Sequence, residues 1–246
     1  MKSKVKQRKR VLLVEHESGR TDGFLNFVHE HQLKVELDTW RPYLRNPLPN
    51  LDFDGLILGG GPMMVRDLKK RKGRFAFYQS ELDLIEQLAR RNCPILGICL
   101  GSQILCDFFG GRVVSGKQAV GWYPVTVHEN VSDPLFNSPK LSFPTFHYHR
   151  DHLIQLPQGA VPLASSRVSK YEAYRLDRER RIWGCLFHPE MEVRQVQSVF
   201  DQNPGLFTRH EICRSDLAPF DDGRLNRHSI LRNFFEIVTS DIHRRN

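Results

Sequence analysis

Cysteine is scarce and scattered in this chain of 246 residues: it occurs at positions 93, 99, 106, 185 and 213, with no Cys-x-x-Cys pair. An odd, dispersed set of thiols argues against a disulfide framework or a structural zinc site and fits reduced thiols in a cytoplasm. Long apolar runs are also missing. No stretch approaches the roughly 18 residues of a membrane span, and no signal-peptide apolar core follows the basic start. Membrane contact is therefore not expected, and a cytoplasmic location is. Internal repeats, low-complexity segments and linker-like stretches are absent as well, so residues 11–246 are expected to form a single domain behind a basic, mobile tail at residues 1–10.

Acidic residues are the minority, 28 against 36 Lys and Arg, giving a formal net charge of +8. The excess is concentrated in two runs: Lys2, Lys4, Lys6, Arg8, Lys9 and Arg10, and then Lys69, Lys70, Arg71, Lys72 and Arg74. These runs read as a tail and a solvated loop. Nucleic-acid binding would want a reading helix or interleaved aromatics, and although Phe75, Phe77 and Tyr78 follow the second run, no recognisable module does. Nucleic acid is not an expected partner. An acidic protein or an anionic substrate near the loop is the alternative use of the charge.

Hydrophobic residues make up 40% of the chain and charged residues 26%, as in ordinary globular proteins. Val11-Leu12-Leu13-Val14 and Gly55-Leu56-Ile57-Leu58 are short apolar runs with the character of fully buried strands. Residues 22–31 and 80–92 carry apolar residues at helical spacing, the second with Leu82, Ile85, Leu88 and Ala89 on one face. Residues 34–40 alternate like a strand nearer an edge, and residues 41–50, with three prolines, read as a loop. Alternating strands and helices over the first 110 residues imply an α/β fold with a mainly parallel central sheet flanked by helices. The second half changes character. Short strand-like runs at 113–114, 123–128, 161–165, 171–176 and 182–187 have few helices between them, which predicts a smaller antiparallel strand region. Helices are expected at 192–200 and 229–238, the latter with Ile230, Leu231, Phe234, Phe235 and Ile237 facing a core.

The most informative stretch is Pro94-Ile-Leu-Gly97-Ile-Cys99-Leu100-Gly101-Ser-Gln103. An apolar strand, a small-residue turn with cysteine at its apex and a helical segment at 102–109 follow the logic of a nucleophile elbow. A helix start behind Cys99 would favour a thiolate through free N–H groups and the positive dipole end. The same pattern fits a buried, inert cysteine, and the local sequence does not choose between them.

A cysteine nucleophile needs a base and a group that orients the base. Of eleven histidines, His188 stands out, because His188-Pro189-Glu190 follows directly on the apolar run 182–187. Both Cys99 and His188 then fall at carboxyl ends of strands, where sites gather in such sheets. The proline stops the strand, so that Glu190 can fold back onto the histidine ring. Backbone amides are the best donors to a developing oxyanion. That of Leu100, next after the cysteine, is one candidate, and Gly59-Gly60-Gly61-Pro62, at the end of another strand, offers the second.

Taken together, Gly97-Ile-Cys99-Leu-Gly-Ser-Gln103, Gly60-Gly61-Pro62 and Phe187-His188-Pro189-Glu190 resemble the class I, or triad, glutamine amidotransferases. Gly121-Trp-Tyr-Pro-Val125, Phe146-His-Tyr-His149 and Leu163-Ala-Ser-Ser166 narrow the resemblance to the free-standing, GMP synthase-like group. The resemblance implies a flavodoxin-like amidotransferase fold without cofactor or metal. It implies that Cys99 attacks the carboxamide of glutamine to form a γ-glutamyl thioester and release ammonia, with His188 as base and then acid and Glu190 orienting it. Gly61 and Leu100 would supply the oxyanion amides, and Gly60, Gln103 and His149 would contact the substrate.

A free-standing chain of this kind either passes ammonia to a separate synthase or simply hydrolyses its substrate. A γ-glutamyl peptidase is the near alternative, and a non-catalytic binding module that retains the fold is the distant one. Two departures bear on the substrate: Arg150 replaces the glycine of the family's His-Gly-Asp, and Leu186 replaces a glutamine two residues before His188. The acidic character expected after Gly-Gly-Pro is also replaced by the basic run at 69–74. The spacing Gly111 to Lys117 imitates a phosphate-binding loop, but Gln118 stands where Ser or Thr is needed, so the segment is expected to be a turn. No Ser-Gly-Gly-Val-Asp-Ser nucleotide-binding segment exists, which excludes a complete synthase.

Overall fold

The computed structural model describes residues 8–19, 21–129, 132–137, 141–176, 181–217 and 224–240. One nine-stranded sheet runs through them in the order β2-β1-β3-β4-β9-β8-β7-β5-β6. Strands β1 (Lys9–Val14), β2 (Val35–Trp40), β3 (Gly55–Leu58), β4 (Ile95–Ile98) and β9 (Ile182–Cys185) pair in parallel. Strands β5 (Arg112–Val127), β6 (Ser142–Gln155), β7 (Val161–Ser165) and β8 (Ala173–Arg175) extend it with antiparallel pairing, β8 against β9. The α/β architecture with an antiparallel second half is thus present as expected.

Burial on both faces explains the continuous apolar runs. Along β1, Val11 and Leu13 join one core layer with Phe24 and Phe27 of α1 (Thr21–Glu30) and Ile230, Leu231, Phe234 and Phe235 of α7 (Arg224–Thr239). Leu12 and Val14 join the opposite layer with Leu82, Ile85 and Leu88 of α3 (Tyr78–Arg90) and Ile104 and Leu105 of α4 (Leu100–Phe108). A smaller cluster unites Val120, Phe146, Val196 and Phe200 beneath α5 (Val193–Gln202). Two short helices, α2 (Val65–Leu68) and α6 (Gly205–His210), complete the set among the described residues. None of these helices is long and apolar enough to cross a membrane.

Three expectations need correction. The basic run at residues 1–10 is not all tail: Lys9 and Arg10 lie in β1 and pair with Asp54 and Asp38, while residues 1–7 lie outside the described residues. Gly111 to Lys117 is not a turn, since Arg112 to Lys117 belong to the long strand β5, whose register against β6 shifts between Ser115 and Ala119. Strand β6 itself is not among the strands the sequence predicts. Its buried residues include Thr145, His147, His149 and Asp151, so the usual sign of a buried strand, an apolar row, is replaced by a polar one.

Candidate active site

Cys99 sits between β4 and α4 with φ 50° and ψ −106°, a left-handed backbone that a non-glycine residue holds only when its surroundings enforce it. Its amide donates to the Cys185 carbonyl of the neighbouring strand (2.8 Å), and its own carbonyl accepts from Gln103, the first bond of α4 (3.1 Å). The glycines two residues to either side do not make the turn. Gly101 is where α4 presses on β3: a Cβ there would lie 2.1 Å from the Leu58 carbonyl oxygen. The cysteine carries the strain while the glycines permit the packing. The thiol is thereby held at the N-terminus of α4, which Cys99 caps.

His188 follows β9 and is fixed by its amide, which donates to the Phe146 carbonyl of β6 (2.9 Å). Its Nδ1 lies 2.7 Å from Glu190 Oε1, and the imidazole is electrostatically coupled to the Cys99 thiol, whose Sγ also approaches the Tyr148 carbonyl oxygen at 3.8 Å. All three side chains are buried, the carboxylate bonded to the imidazole and the thiol on the imidazole's other side. Burial by itself would push the His188 pKa down, but the charges of Glu190 and Cys99, with hydrogen bonding, lift it to about 10.

The glycine loop after β3 closes on the same point. A Cβ on Gly60 would come within 2.7 Å of His188 Cε1 and 3.5 Å of Cys99 Cβ, so only glycine fits here. A cavity of about 380 Å³ opens above it, and Gly61, Cys99, Gln103, His149 and His188 are in its wall. Leu100 is buried behind Cys99, and Glu190 is behind His188 at the edge of a second cavity. All eight predicted site residues are brought together.

Gln103 and His149 are anchored through one atom, the Asp151 backbone carbonyl. Gln103 Nε2 and His149 Nδ1 each donate to it at 3.2 Å, which fixes the His149 tautomer and leaves Nε2 as a bare acceptor. Burial foremost, then the neighbouring His152 and His188, hold the His149 pKa down to about 3, so its ring is neutral. Arg150 is at the cavity rim and donates to Gln118 Oε1 (3.2 Å). Leu186, the other departure, does not reach the cavity wall. It is fully buried, with its amide bonded to the Glu172 carbonyl (2.7 Å).

Several residues at or near the site give no signal in the sequence. Arg209 and His210 of α6 reach the cavity, and Tyr148 is hydrogen-bonded to His210 Nε2 (2.9 Å). That helix is too short and too exposed to show periodicity. His16 and Glu81, fully buried beside the glycine loop, look in the sequence like ordinary loop and helix residues.

Among the described residues, His147, His149 and Glu172 are the group that converges enough to suggest a metal, with ligand atoms within 4.8 Å of one another. A tetrahedral zinc with bonds of about 2.0–2.1 Å would hold its ligand atoms roughly 3.4 Å apart. His147 Nδ1 and Glu172 Oε2 are 3.7 Å apart, so the group would have to close before sharing an ion. What it does impose is a stability cost. Burial pushes the Glu172 pKa up to about 7, only partly offset by the Ser166 hydroxyl that donates to it.

A carboxyl whose pKa is higher folded than unfolded contributes most below the unfolded value, and the contribution is lost as pH rises through the folded one. Glu172→Gln is therefore expected to leave stability nearly unchanged near pH 4 and to raise it, relative to the parent, by up to about 3 kcal/mol above pH 8. Urea unfolding midpoints at both pH values check this. An equal offset at both would show that the carboxylate is not the cause.

With this geometry in view, the comparisons agree on a class. The family profile described as Glutamine amidotransferase class-I matches residues 12–203. The chain belongs to that family. Within it, the chain is 34% identical over 200 residues to a glutamine-hydrolyzing GMP synthase subunit of Natronomonas pharaonis, covering 79% of this chain and 96% of that protein. It is 30% identical over 186 residues to the protein of the same name from Halobacterium salinarum, covering 73% and 92%. In structure it superposes on a glutamine amidotransferase from Thermotoga maritima with a TM-score of 0.79 at 24% identity, covering 95% of this chain and 99% of that one. That likeness establishes the shared fold. The chain is thus a GMP synthase-like member of the class I glutamine amidotransferases.

Proposed function

We propose that the protein is a cysteine-dependent glutamine amidohydrolase that delivers ammonia to a separate synthase. The observation that carries this reading is the buried set Glu190, His188 and Cys99, with the thiol at a helix N-terminus opposite a glycine loop. The Cys99 sulfur attacks Cδ of the glutamine carboxamide, and the developing oxyanion accepts hydrogen bonds from the amides of Gly61 and Leu100. The C–N bond then breaks as the His188 imidazolium gives its proton to the departing nitrogen, which leaves as ammonia. Water attacks the γ-glutamyl thioester while His188 takes its proton, and glutamate leaves from the regenerated thiol. Glu190 holds the imidazole in orientation and balances its charge throughout. Gly60, Gln103 and His149 shape the substrate wall of the cavity.

Because the relatives from Natronomonas pharaonis and Halobacterium salinarum are named as parts of a synthase, the ammonia acceptor is proposed to be a separate chain. Arg150 and Arg209 at the rim favour a second reading, in which the cations bind the carboxylate of a longer γ-glutamyl compound and the enzyme is a γ-glutamyl peptidase. A panel of glutamine and γ-glutamyl peptides separates the two by kcat/KM. Because His188 keeps its proton up to about pH 10, the alkaline fall in kcat/KM is expected near that pH and not near 6.5. The absence of both glutamate release and labelling at Cys99 by a glutamine-analogue electrophile would sink the enzymatic reading in favour of a binding module.

A further inference from the structure

Behind the glycine loop lies a buried ionisable pair that the reaction above does not use. His16 follows β1 and Glu81 faces it from α3, and neither side chain is exposed to solvent. His16 Nε2 is 2.8 Å from Glu81 Oε1, and His16 Nδ1 is 3.0 Å from the Gly59 carbonyl oxygen. A carbonyl can only accept, so Nδ1 carries a hydrogen and donates it to Gly59. Nε2 is then the atom that a hydrogen bond joins to Glu81.

The loop is pinned on both sides. Gly59 donates its amide to the Val14 carbonyl (2.9 Å) while its own carbonyl is held by His16. A Cβ on Gly61 would lie 2.6 Å from His16 Cβ, and one on Gly60 would lie 2.7 Å from His188 Cε1. The three glycines therefore run between two histidines, one beneath the loop and one beside the thiol. Consecutive glycines have the most backbone freedom to lose, so the direction of their amides depends on what grips them from outside. A buried ion pair adds little net stability over an apolar replacement, which leaves position as its contribution.

We propose that His16 and Glu81 are positioning residues of the oxyanion hole. His16 grips the Gly59 carbonyl so that the amides after it, Gly61 included, face the reacting carbonyl, and Glu81 holds His16 in place. The inference rests on the reading that Cys99 attacks a γ-glutamyl carbonyl.

Two substitutions at His16 separate position from mere filling. His16→Asn puts an N–H where Nδ1 was and keeps the donation to Gly59. His16→Gln moves the polar group outward, toward Glu81, and loses that donation. Glutamate release reads the oxyanion hole, whereas alkylation of Cys99 by iodoacetamide needs no oxyanion and reads the thiol alone. Misplacing a catalytic group by about 1 Å costs on the order of 10²-fold, so His16→Gln is expected to lower kcat about 10²-fold with KM within about threefold. On the same scale His16→Asn should stay within about tenfold of the parent, and both should alkylate within about threefold of it.

Equal losses in the two variants, or alkylation falling in parallel with kcat, would overturn the proposal. Should His16→Gln fail to fold, Glu81→Met carries the test, because it keeps the length of the side chain and removes the group that holds Nε2: kcat is expected to fall about tenfold with alkylation intact, and parental kcat would overturn the proposal. A parent that releases glutamate from no γ-glutamyl compound would instead refute the reading beneath it, and this inference with it. An active parent with insensitive variants refutes this inference alone.

Discussion

Cys99→Ala is expected to reduce glutamate release from the preferred substrate by about 10⁶-fold while leaving the thermal midpoint within a few degrees of the parent. The magnitude follows from the nucleophile's place in a unit: when one member of such a set is removed, the remaining members have nothing to act on, and the loss approaches that of removing them all. The fold should survive because the positions that hold the elbow are not the sulfur. Cys99 is tied through its amide to Cys185 and through its carbonyl to Gln103, and alanine keeps both bonds. Alanine also meets the same left-handed strain at φ 50°, so that contribution does not change. Steady-state assay beside a thermal melt is the check. Residual turnover above about 1% of the parent would mean that another group forms the covalent bond.

Gly101→Ala is expected to act the other way round, on the fold first and on catalysis as a consequence. The added Cβ would stand 2.1 Å from the Leu58 carbonyl oxygen and 2.6 Å from Leu58 Cβ, and both lie on buried, paired β3. Neither can yield as a flexible side-chain end can. Helix α4 must lift off the sheet, or the sheet must bend, at a cost of about 3–5 kcal/mol. In a chain of this size that lowers the melting midpoint by roughly 10 °C. Cys99 caps the same helix, so lifting it by about 1 Å removes a further 10²-fold in kcat from the folded fraction. Gly205→Ala is the matched control, since its Cβ would meet nothing within 4 Å, and it should melt with the parent. A Gly101→Ala midpoint within about 2 °C of the parent would show that the close approach can relax without cost.

The same glycine illustrates where sequence reading succeeds for an incomplete reason. Gly97 and Gly101 point to an elbow, and an elbow is there, but the glycines suggest freedom to turn as its cause. The turn is made by Cys99, and Gly101 is required by a carbonyl on β3, far earlier in the chain. No local pattern contains that neighbour. Strand β6 shows the converse failure. Its inward row of Thr145, His147 and His149 has no apolar alternation, because this part of the sheet's interior is a polar site. The features that make the strand functional are those that hide it from a periodicity argument. Leu186 and Arg150 look like equal departures in the sequence, yet only Arg150 reaches the cavity.

By itself the sequence determined the class of fold, since uninterrupted apolar runs alternating with amphipathic segments can bury both faces only in a helix-covered parallel sheet. The three motifs Gly-x-Cys-x-Gly, Gly-Gly-Pro and His-Pro-Glu could also be placed near one another, because each sits at the end of such a run and strand ends in one sheet converge. The tertiary structure decided how those residues are held: the strain at Cys99, the shared anchor of Gln103 and His149 at Asp151, the arginines brought to the rim, and the His16–Glu81 pair beneath the glycine loop. These depend on distances between segments far apart in the chain, and such distances are set only once the sheet has brought the segments together.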